Sequence, residues 1–263
     1  FRQVVLWVEQ RYQDLLDEQE LAFIHAFGQL SAPAQALMVR MVMRKGELFR
    51  SDRLVYEEIG DTELALQPLK ALGWVREPEQ LHLEQLFALL RKDELACCFA
   101  AQLSRPRAAK HDLLAQLQPL QLAARSLAEW YPGSELRILQ WCLQPLCDRM
   151  RLLFFGNLYQ DWSEFVLADL GLLRYEQVPF SADSRALQQR ADIDLAMVLH
   201  ECAERLEQGE HPQSVIAAIQ HLHCDNPWLA RRRARLQFAL GQQCERLGDW
   251  DQAMAVYAQC SHA

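Results

Sequence analysis

The chain has 263 residues, of which 51% are hydrophobic, and its formal net charge is −8 at pH 7. This length and apolar content allow one large domain or two to three small ones, each with a buried core. No apolar run approaches the roughly 18 residues of a membrane span, which argues against a membrane protein. The acidic total argues against a protein that coats nucleic acid everywhere, because phosphate binding needs a cationic face.

The cysteines form no recognisable framework. The sequence has eight of them and no CxxC pair, so we expect reduced thiols in a cytosolic protein. The sequence starts at Phe1, which is not a natural first residue, so we expect further residues before it. Apolar spacing in the first 30 residues predicts two helices, Phe1–Leu16 and Glu18–Phe27.

Residues 31–75 combine helical and strand patterns within a short span. Apolar residues at helical spacing predict a helix from Pro33 to Lys45. The elements predicted after it are a strand at 48–50, a helix from 51 or 52 to 59, a helix from 61 or 62 to 73, and a strand at 74–75. This order of elements is similar to a winged-helix module.

The same stretch holds a local excess of cations. They lie on the predicted first helix and around the first strand, and they are Arg40, Arg44, Lys45, Arg50 and Arg53. The predicted recognition helix is poor in groups that read base edges, with Glu63, Gln67 and Lys70. We therefore expect contacts with the DNA backbone. The alternatives are a solvated charged face, formed with neighbouring glutamates, and a surface for protein contacts.

Residues 78–118 predict a second small unit. Two helices, Gln85–Gln102 and Lys110–Leu117, flank a basic loop. The pattern resembles the SAP motif, a helix-loop-helix that binds the DNA backbone, and its cations are Arg105, Arg107 and Lys110. Lys110 stands at a helix start, where free N–H groups and the helix dipole favour a phosphate. The alternative is an ordinary helical hairpin with a solvated turn.

The region after residue 119 is predicted to be largely helical. Large apolar residues at helical spacing predict a helical core from Leu120 to Phe155, followed by a helix at 161–170 and a strand at 173–180. Asp169 and Glu176 suggest the carboxylates of a metal-dependent nuclease, which also needs a lysine in a Glu-x-Lys pattern. No lysine follows Glu176, so we expect no catalytic residue here.

Residues 182–263 predict two helical hairpins, made of helices at 191–206 and 212–221 and at 229–247 and 250–260. The second hairpin matches the tetratricopeptide pattern, with Gly241, Ala253 and Tyr257 in its small and large positions. The sequence stops inside this repeat, and such repeats need neighbours to bury their faces. We therefore expect the natural protein to continue.

Two smaller groups in this region carry possible ligands. His221, His223 and Cys224 lack a second ligand pair for zinc, so we expect no metal there. The run Arg231–Arg233 with Arg235 lies at a predicted helix start, where its charges oppose the helix dipole. This arrangement suggests an anionic partner such as phosphate, and a solvated turn explains it equally well.

The run from Ala34 to Ile59, AQALMVRMVMRKGELFRSDRLVYEEI, resembles the corresponding segment of the Fanconi-associated nuclease family. The matching positions are Gln35, Leu37, Val39, Arg40, Arg44, Lys45, Leu54, Tyr56–Ile59 and Gly73, with the approach segment Asp17–Glu20. Members of this family are structure-specific DNA repair nucleases with a C-terminal virus-type replication-repair nuclease domain. The family has a SAP-type unit at the position of residues 78–118, and the resemblance is strongest over residues 1–120.

The resemblance implies a mainly α fold with minor β content in four parts. They are N-terminal helices with a winged-helix-like module (1–77), a SAP-like DNA-binding unit (78–118), a helical linker with a short strand (119–181) and truncated tetratricopeptide-like repeats (182–263). It also implies a function, the DNA-binding and positioning arm of a structure-specific 5′-flap endonuclease of interstrand crosslink repair. The Mg²⁺ or Mn²⁺ of that enzyme is expected in the nuclease domain outside these residues, and no cofactor is expected in this chain.

The partners that the resemblance implies are branched or 5′-flap duplex DNA and the protein's own C-terminal nuclease domain. The implied location is the cytoplasm, with association to the nucleoid, or the nucleus in a eukaryote. The predicted DNA contacts are Arg40, Arg44, Lys45, Arg50, Arg53, Arg105, Arg107 and Lys110. The rival hypotheses are a helical scaffold for protein–protein contacts and a self-contained metal hydrolase, for which we find no carboxylate–lysine cluster.

Overall fold

A computed structural model describes residues 1–162, 164 and 181–260 of the chain. Helices dominate it, together with a three-stranded sheet, which confirms the predicted mainly α fold. The chain divides into two compact units. Unit 1 comprises Phe1–His25 and Pro145–Ala263, and unit 2 comprises Ala26–Gln144. The predicted helix at 161–170 and strand at 173–180, with Asp169 and Glu176, lie outside the described residues except for positions 161, 162 and 164.

The elements up to residue 76 are helices α1 (Arg2–Tyr12), α2 (Glu18–Gln29) and α3 (Ala32–Val42), strand β1 (Leu48–Arg50), helix α4 (Thr62–Ala71) and strand β2 (Val75–Arg76). They are followed by helices α5 (Leu83–Leu89), α6 (Lys92–Cys98), α7 (Lys110–Leu117) and α8 (Leu127–Trp130), strand β3 (Ile138–Trp141) and helix α9 (Gln144–Phe155). The described helices beyond residue 181 are α10 (Arg190–Glu207), α11 (Pro212–Ile219), α12 (Pro227–Arg246) and α13 (Trp250–Ala258).

Helices α3 and α4 form the helix-turn-helix of unit 2. Pro33 lies in the first turn of α3, where a missing N–H leaves no bond unmade. The Asp61 carboxylate accepts the Leu64 N–H at 3.1 Å and so caps α4, as predicted. Both helices turn apolar faces inward, and Leu37 and Leu66 are fully buried. The predicted strand at 48–50 is confirmed as β1.

The helix predicted at 51–59 is wrong. This segment contains a 3-10 turn at Ser51–Arg53 and then an irregular stretch up to the α4 cap. The Leu54 carbonyl accepts the Thr62 hydroxyl at 2.8 Å, so it is not used inside a helix. A helix this short gains little from its few internal bonds. Burial of Leu54 and Ile59 therefore decides the path of the backbone.

The sheet of unit 2 has a central strand that the sequence analysis missed. The strand order is β1-β3-β2 and both pairings are antiparallel, with Phe49 opposite Leu139 and Val75 opposite Trp141. The helical core predicted for Leu120–Phe155 is therefore wrong at β3. A helix there would leave the facing edges of β1 and β2 without backbone partners. Strand β3 supplies these partners and buries three of its four side chains.

The single helix predicted from Gln85 to Gln102 is two helices, α5 and α6. Between them Leu90 and Arg91 are extended, with ψ angles of 152° and 163°. The Leu90 carbonyl accepts the Lys110 ammonium at 2.7 Å, and the Glu94 carboxylate accepts the Arg91 N–H at the start of α6. These side-chain bonds stabilise a break in a segment whose apolar spacing is continuous.

In unit 1, Glu20 of α2 is a fully buried carboxylate. It pairs with Arg149 of α9 and Arg190 of α10, and one oxygen accepts the Asp17 N–H at 2.9 Å. Burial disfavours an isolated charge, so these partners compensate for the desolvation of the carboxylate. The bonds connect α2 with helices far along the chain.

The C-terminal hairpins are confirmed. Helices α10 and α11 form one, and α12 and α13 form the other. Gly241 of α12 is buried against the ring of Tyr257 on α13, and a Cβ atom added to Gly241 would overlap that ring. The tetratricopeptide positions of the sequence thus correspond to a close approach between the two helices.

We expect Gly241→Ala to destabilise the protein by about 1–3 kcal/mol, because the ring of Tyr257 must move to admit the methyl group. Gly28→Ala in α2 is the matched control, since nothing lies within 4 Å of its added Cβ. Helix propensity predicts that this control is neutral or stabilising by up to about 1 kcal/mol. Urea unfolding of both variants measures the difference, and equal effects would contradict the packing argument.

Candidate nucleic-acid interface

A buried ion pair in unit 2 joins the helix-turn-helix to the SAP-like unit. The side chain of Arg50, at the end of β1, is 4% exposed. Its guanidinium donates to both oxygens of Glu94 on α6, with an Nη2–Oε1 distance of 2.9 Å. It also donates to both oxygens of Asp52, at 2.9 and 2.8 Å. The planar guanidinium therefore holds β1 and α6 in a fixed geometry.

This arrangement sets the charge of each partner. Hydrogen bonds from Arg50 lower the pKa of Glu94 and the pKa of Asp52 below their ordinary values. The bonds to Asp52 and Glu94 raise the pKa of Arg50. The three groups are therefore ionised together at neutral pH, as one cation and two anions.

Two lysines fix the SAP-like unit around this ion pair. The Lys110 ammonium, at the start of α7, donates to the Leu90 carbonyl in the break between α5 and α6 at 2.7 Å. The Lys92 ammonium, at the start of α6, donates to the Arg107 carbonyl at 2.7 Å. The basic loop at 104–107 is thus held against the first turn of α6.

The cations of both modules converge at this place. Desolvation lowers the pKa of Lys110, and the positive charge of Arg53 contributes in the same direction. The Arg91 guanidinium lies 3.5 Å from the Asp52 carboxylate. We call this region the junction surface, and we define it by the cations Arg53, Arg91, Lys92, Arg107 and Lys110.

Sequence reasoning missed two members of the junction surface, Arg91 and Lys92. Both are exposed. The sequence analysis predicted one continuous helix over this segment. Arg91 and Lys92 were therefore expected in the middle of a helix, whereas the structure places them at the start of α6. The capping pair of Arg91 with Glu94, three residues apart, is the signal that could have located the break.

The structure does not support Arg50 as a DNA contact. Its side chain is buried, and its donors already bond Glu94, Asp52 and the Leu89 carbonyl. A phosphate could reach it only by displacing a carboxylate. We therefore remove Arg50 from the proposed contacts and assign it the role of holding the two modules together.

The remaining predicted DNA contacts differ in whether their side chains already bond other groups. Arg40 pairs with Glu58 and stacks on Tyr56, with 5.0 Å from its guanidinium carbon to the ring centroid. Arg44 stacks on the same ring at 5.5 Å and donates to the Arg53 carbonyl at 3.1 Å. Lys45, Arg53, Arg105 and Arg107 are exposed, and among the described residues none of them has a carboxylate within 4.0 Å.

The recognition helix α4 presents few groups to DNA. Leu64 is 71% exposed, Glu63 pairs with Arg137, and Lys70 pairs with Glu77 at 3.4 Å. Gln67 is also exposed, but one amide beside an exposed leucine and paired charges offers little reading of the donor and acceptor pattern of the major groove. The geometry therefore fits contacts with the backbone.

Within residues 1–162, 164 and 181–260, no three His, Cys, Asp or Glu side chains come together as metal ligands would. The group of His221, His223 and Cys224 is part of this range. None of the helices in the same residues combines the length and the apolar character that crossing a bilayer requires.

We expect Glu94→Gln to destabilise unit 2 by about 3 kcal/mol at neutral pH, because it leaves the buried Arg50 charge with weaker compensation. The exposed neighbour Asp93 provides the control, and Asp93→Asn should change stability by less than about 1 kcal/mol. Hydrogen exchange of the β1 and α6 amides reports the effect locally.

The same pair predicts a pH dependence. The folded-state pKa of Glu94 lies below its ordinary value of 4.5, so its stabilisation is complete above about pH 5 and is lost as the pH falls through the lowered pKa. The difference between wild type and Glu94→Gln should therefore shrink below about pH 4. A difference that does not change with pH would show that the ion pair is not the cause.

Comparisons with known proteins agree with these features. Residues 1–76 match the family model for the FAN1 HTH domain, and residues 80–130 match that for the Fanconi anemia-associated nuclease SAP domain. Over 262 residues the chain is 52% identical to a Fanconi-associated nuclease 1 homolog from Pseudomonas aeruginosa, covering 100% of this chain and 47% of that protein. Over 209 residues it is 36% identical to Fanconi-associated nuclease 1 from Mus musculus, covering 68% of this chain and 20% of that protein.

A solved structure shows the same fold. The crystal structure of paFAN1 bound to 5′-flap DNA with a 2-nucleotide flap and a gap matches with a TM-score of 0.93 at 52% identity. The match covers 100% of this chain and 48% of that one, so the chain spans about half the length of paFAN1 and of the Pseudomonas aeruginosa homolog, and a fifth of the mouse protein. The two domain models, the relatives and the shared fold show that the chain carries the helix-turn-helix and SAP domains of the Fanconi-associated nuclease family.

Proposed function

We propose that unit 2 binds the backbone of duplex DNA beside a 5′ flap and positions it for a nuclease domain outside this chain. The observation that supports this proposal best is the junction surface. There the buried Arg50–Glu94 pair brings cations of the helix-turn-helix and of the SAP-like unit to one place. Two separate phosphate-binding modules thereby act as one rigid interface.

The charge balance supports a phosphate ligand. Three cations of the junction surface, Arg53, Arg91 and Lys110, lie near a cluster whose anions, Asp52 and Glu94, already bond Arg50. Arg53, Lys92 and Arg107 are left with no carboxylate within 4.0 Å among the described residues. Closely spaced cations without counterions repel one another, and a polyanion removes this repulsion.

The solved structures of relatives suggest which form of DNA unit 2 binds. The paFAN1 structures are of complexes with 5′-flap DNA that has a gap, and this chain shares their fold over its whole length. Contacts with the backbone fit a ligand that is recognised by its shape, since phosphates carry no sequence information directly.

The chain should bind this DNA without cutting it. A divalent metal ion, Mg²⁺ or Mn²⁺, would be held by the nuclease domain and would activate water there. The role of unit 2 is then to place the duplex relative to that domain. With this role we propose a cytoplasmic location associated with the nucleoid in a bacterium, or a nuclear location in a eukaryote.

Salt dependence of binding tests the proposal. We expect the 263-residue chain to bind a labelled 5′-flap duplex with an affinity that falls steeply with salt, because binding releases counterions. Arg105→Ala combined with Arg107→Ala should weaken binding and reduce the log–log salt slope by about 1.8, since each phosphate contact contributes about 0.9. Fluorescence anisotropy over a salt series measures both quantities.

A control with the same loss of charge is available. Arg2→Ala combined with Arg246→Ala removes two exposed cations of unit 1 and should leave the slope unchanged. If the two double variants behave alike, net charge alone controls binding and the proposed interface is wrong. If wild-type chain does not bind the flap duplex, the protein-interaction scaffold becomes the better account.

A further inference from the structure

A second cationic site lies in unit 1, in a cavity of about 230 Å³ between α10, α12 and the turn at 157–160. Its polar lining comes from Tyr159, His200, Glu207, Arg232 and Arg235, and its apolar wall includes Leu199, Ala203 and Leu236. Arg232 and Arg235 belong to the arginine run of the sequence, which the interface in unit 2 does not use.

Arg232 is a half-buried cation with no anionic partner among the described residues. Its guanidinium stacks on Trp228 at 4.1 Å from the ring centroid, and its polar contact is a long bond of 3.4 Å to the Gly156 carbonyl. Burial lowers its pKa. Among the described residues no carboxylate lies within 4.0 Å of Arg232 or Arg235. A desolvated charge of this kind is stabilised by an anionic ligand.

Among the described residues, the other charged groups around the cavity do not neutralise the charge of the two arginines. Glu207 is exposed at the rim, and Glu204 lies 3.4 Å from the His200 imidazole. Burial lowers the pKa of His200, which favours the neutral ring at neutral pH. Asp148 of α9 also acts on His200, and its carboxylate pairs with Arg151 of the same helix at 3.0 Å. The two arginines on α12 therefore present the positive charge.

An aromatic platform completes the site. The Asn157 side chain accepts the N–H groups of Tyr159 and Gln160 at 3.0 and 3.1 Å, which fixes the turn. Tyr159 is 75% exposed, and its ring meets the His200 ring edge to face, with centroids 5.6 Å apart. An exposed ring held in one position offers a stacking face for a nucleobase.

We propose that this cavity binds a nucleotide of single-stranded DNA, with Arg232 and Arg235 on a phosphate and Tyr159 stacked on the base. The stacking face next to the cations favours a nucleotide over a phosphorylated peptide, which would leave the ring unused. Every lining residue belongs to unit 1, so the site works independently of the duplex-binding surface in unit 2.

Nuclear magnetic resonance of the 263-residue chain labelled with ¹⁵N-arginine tests the site. Three probes are titrated, namely thymidine dinucleotide with a 5′-phosphate, the same dinucleotide without it, and inorganic phosphate. We expect the Nε–H signals of Arg232 and Arg235 to shift with both dinucleotides. Tighter binding of the 5′-phosphorylated form would assign a terminal phosphate to the site, and equal binding would assign the internal phosphodiester.

Two exposed residues allow variants that retain the fold. Arg235→Gln should weaken dinucleotide binding by about tenfold, the effect of one charge-assisted bond. Tyr159→Ala should weaken it about fivefold or more through lost stacking, and should leave the binding of inorganic phosphate unchanged. Arg231→Gln is the matched control, because Arg231 is an exposed arginine of the same helix that does not line this cavity.

Shifts that are absent at millimolar dinucleotide, or that Arg231→Gln reduces as much as Arg235→Gln does, would overturn the site. Shifts with inorganic phosphate that exceed those with both dinucleotides would show a simple anion site and would also overturn it. The double variant Arg105→Ala, Arg107→Ala should leave dinucleotide binding at the cavity unchanged. This result separates a failure of the cavity from a failure of the duplex-binding proposal.

Discussion

The bond between Arg50 and Glu94 is the interaction on which the arrangement of unit 2 depends. Arg50 ends the first strand of the sheet, and Glu94 lies in the first turn of α6, 44 residues later. The Glu94 carboxylate bonds Arg50 and also accepts the Arg91 N–H, which caps the start of α6. The same group that breaks the helix at residues 90 and 91 therefore joins the SAP-like unit to the helix-turn-helix.

Burying this pair has a thermodynamic consequence. Desolvation of two charges offsets much of their attraction, so a buried ion pair adds less stability than an apolar contact of the same size could. What it adds here is orientation, because the planar guanidinium bonds Glu94 and Asp52 in one geometry. Fixed orientation matters at the junction surface, where Arg53 and Lys110 are held close enough to repel each other.

Local signals in the sequence were sufficient for elements that local interactions stabilise. The Asp61 cap, the strand at 48–50 and the hairpin with Gly241 against Tyr257 all followed from spacing and residue type. Strand β3 and the break before α6 did not, because their partners lie far along the chain: β3 pairs with β1 and β2, and the Leu90 carbonyl bonds Lys110. For the same reason the sequence could show that Arg50 is a cation but could not show that its charge is already paired.

Lysine modification of the chain with and without a 5′-flap duplex locates the DNA-binding face of unit 2. The lysines of the sequence are Lys45, Lys70, Lys92 and Lys110, and acetylation rates at each are read by mass spectrometry. We expect DNA to protect Lys92 of the junction surface and Lys45 after α3, whereas Lys70 on the recognition helix should react at an unchanged rate. Protection of Lys70 with no change at Lys92 would show that DNA meets the recognition helix and would contradict the interface described for unit 2.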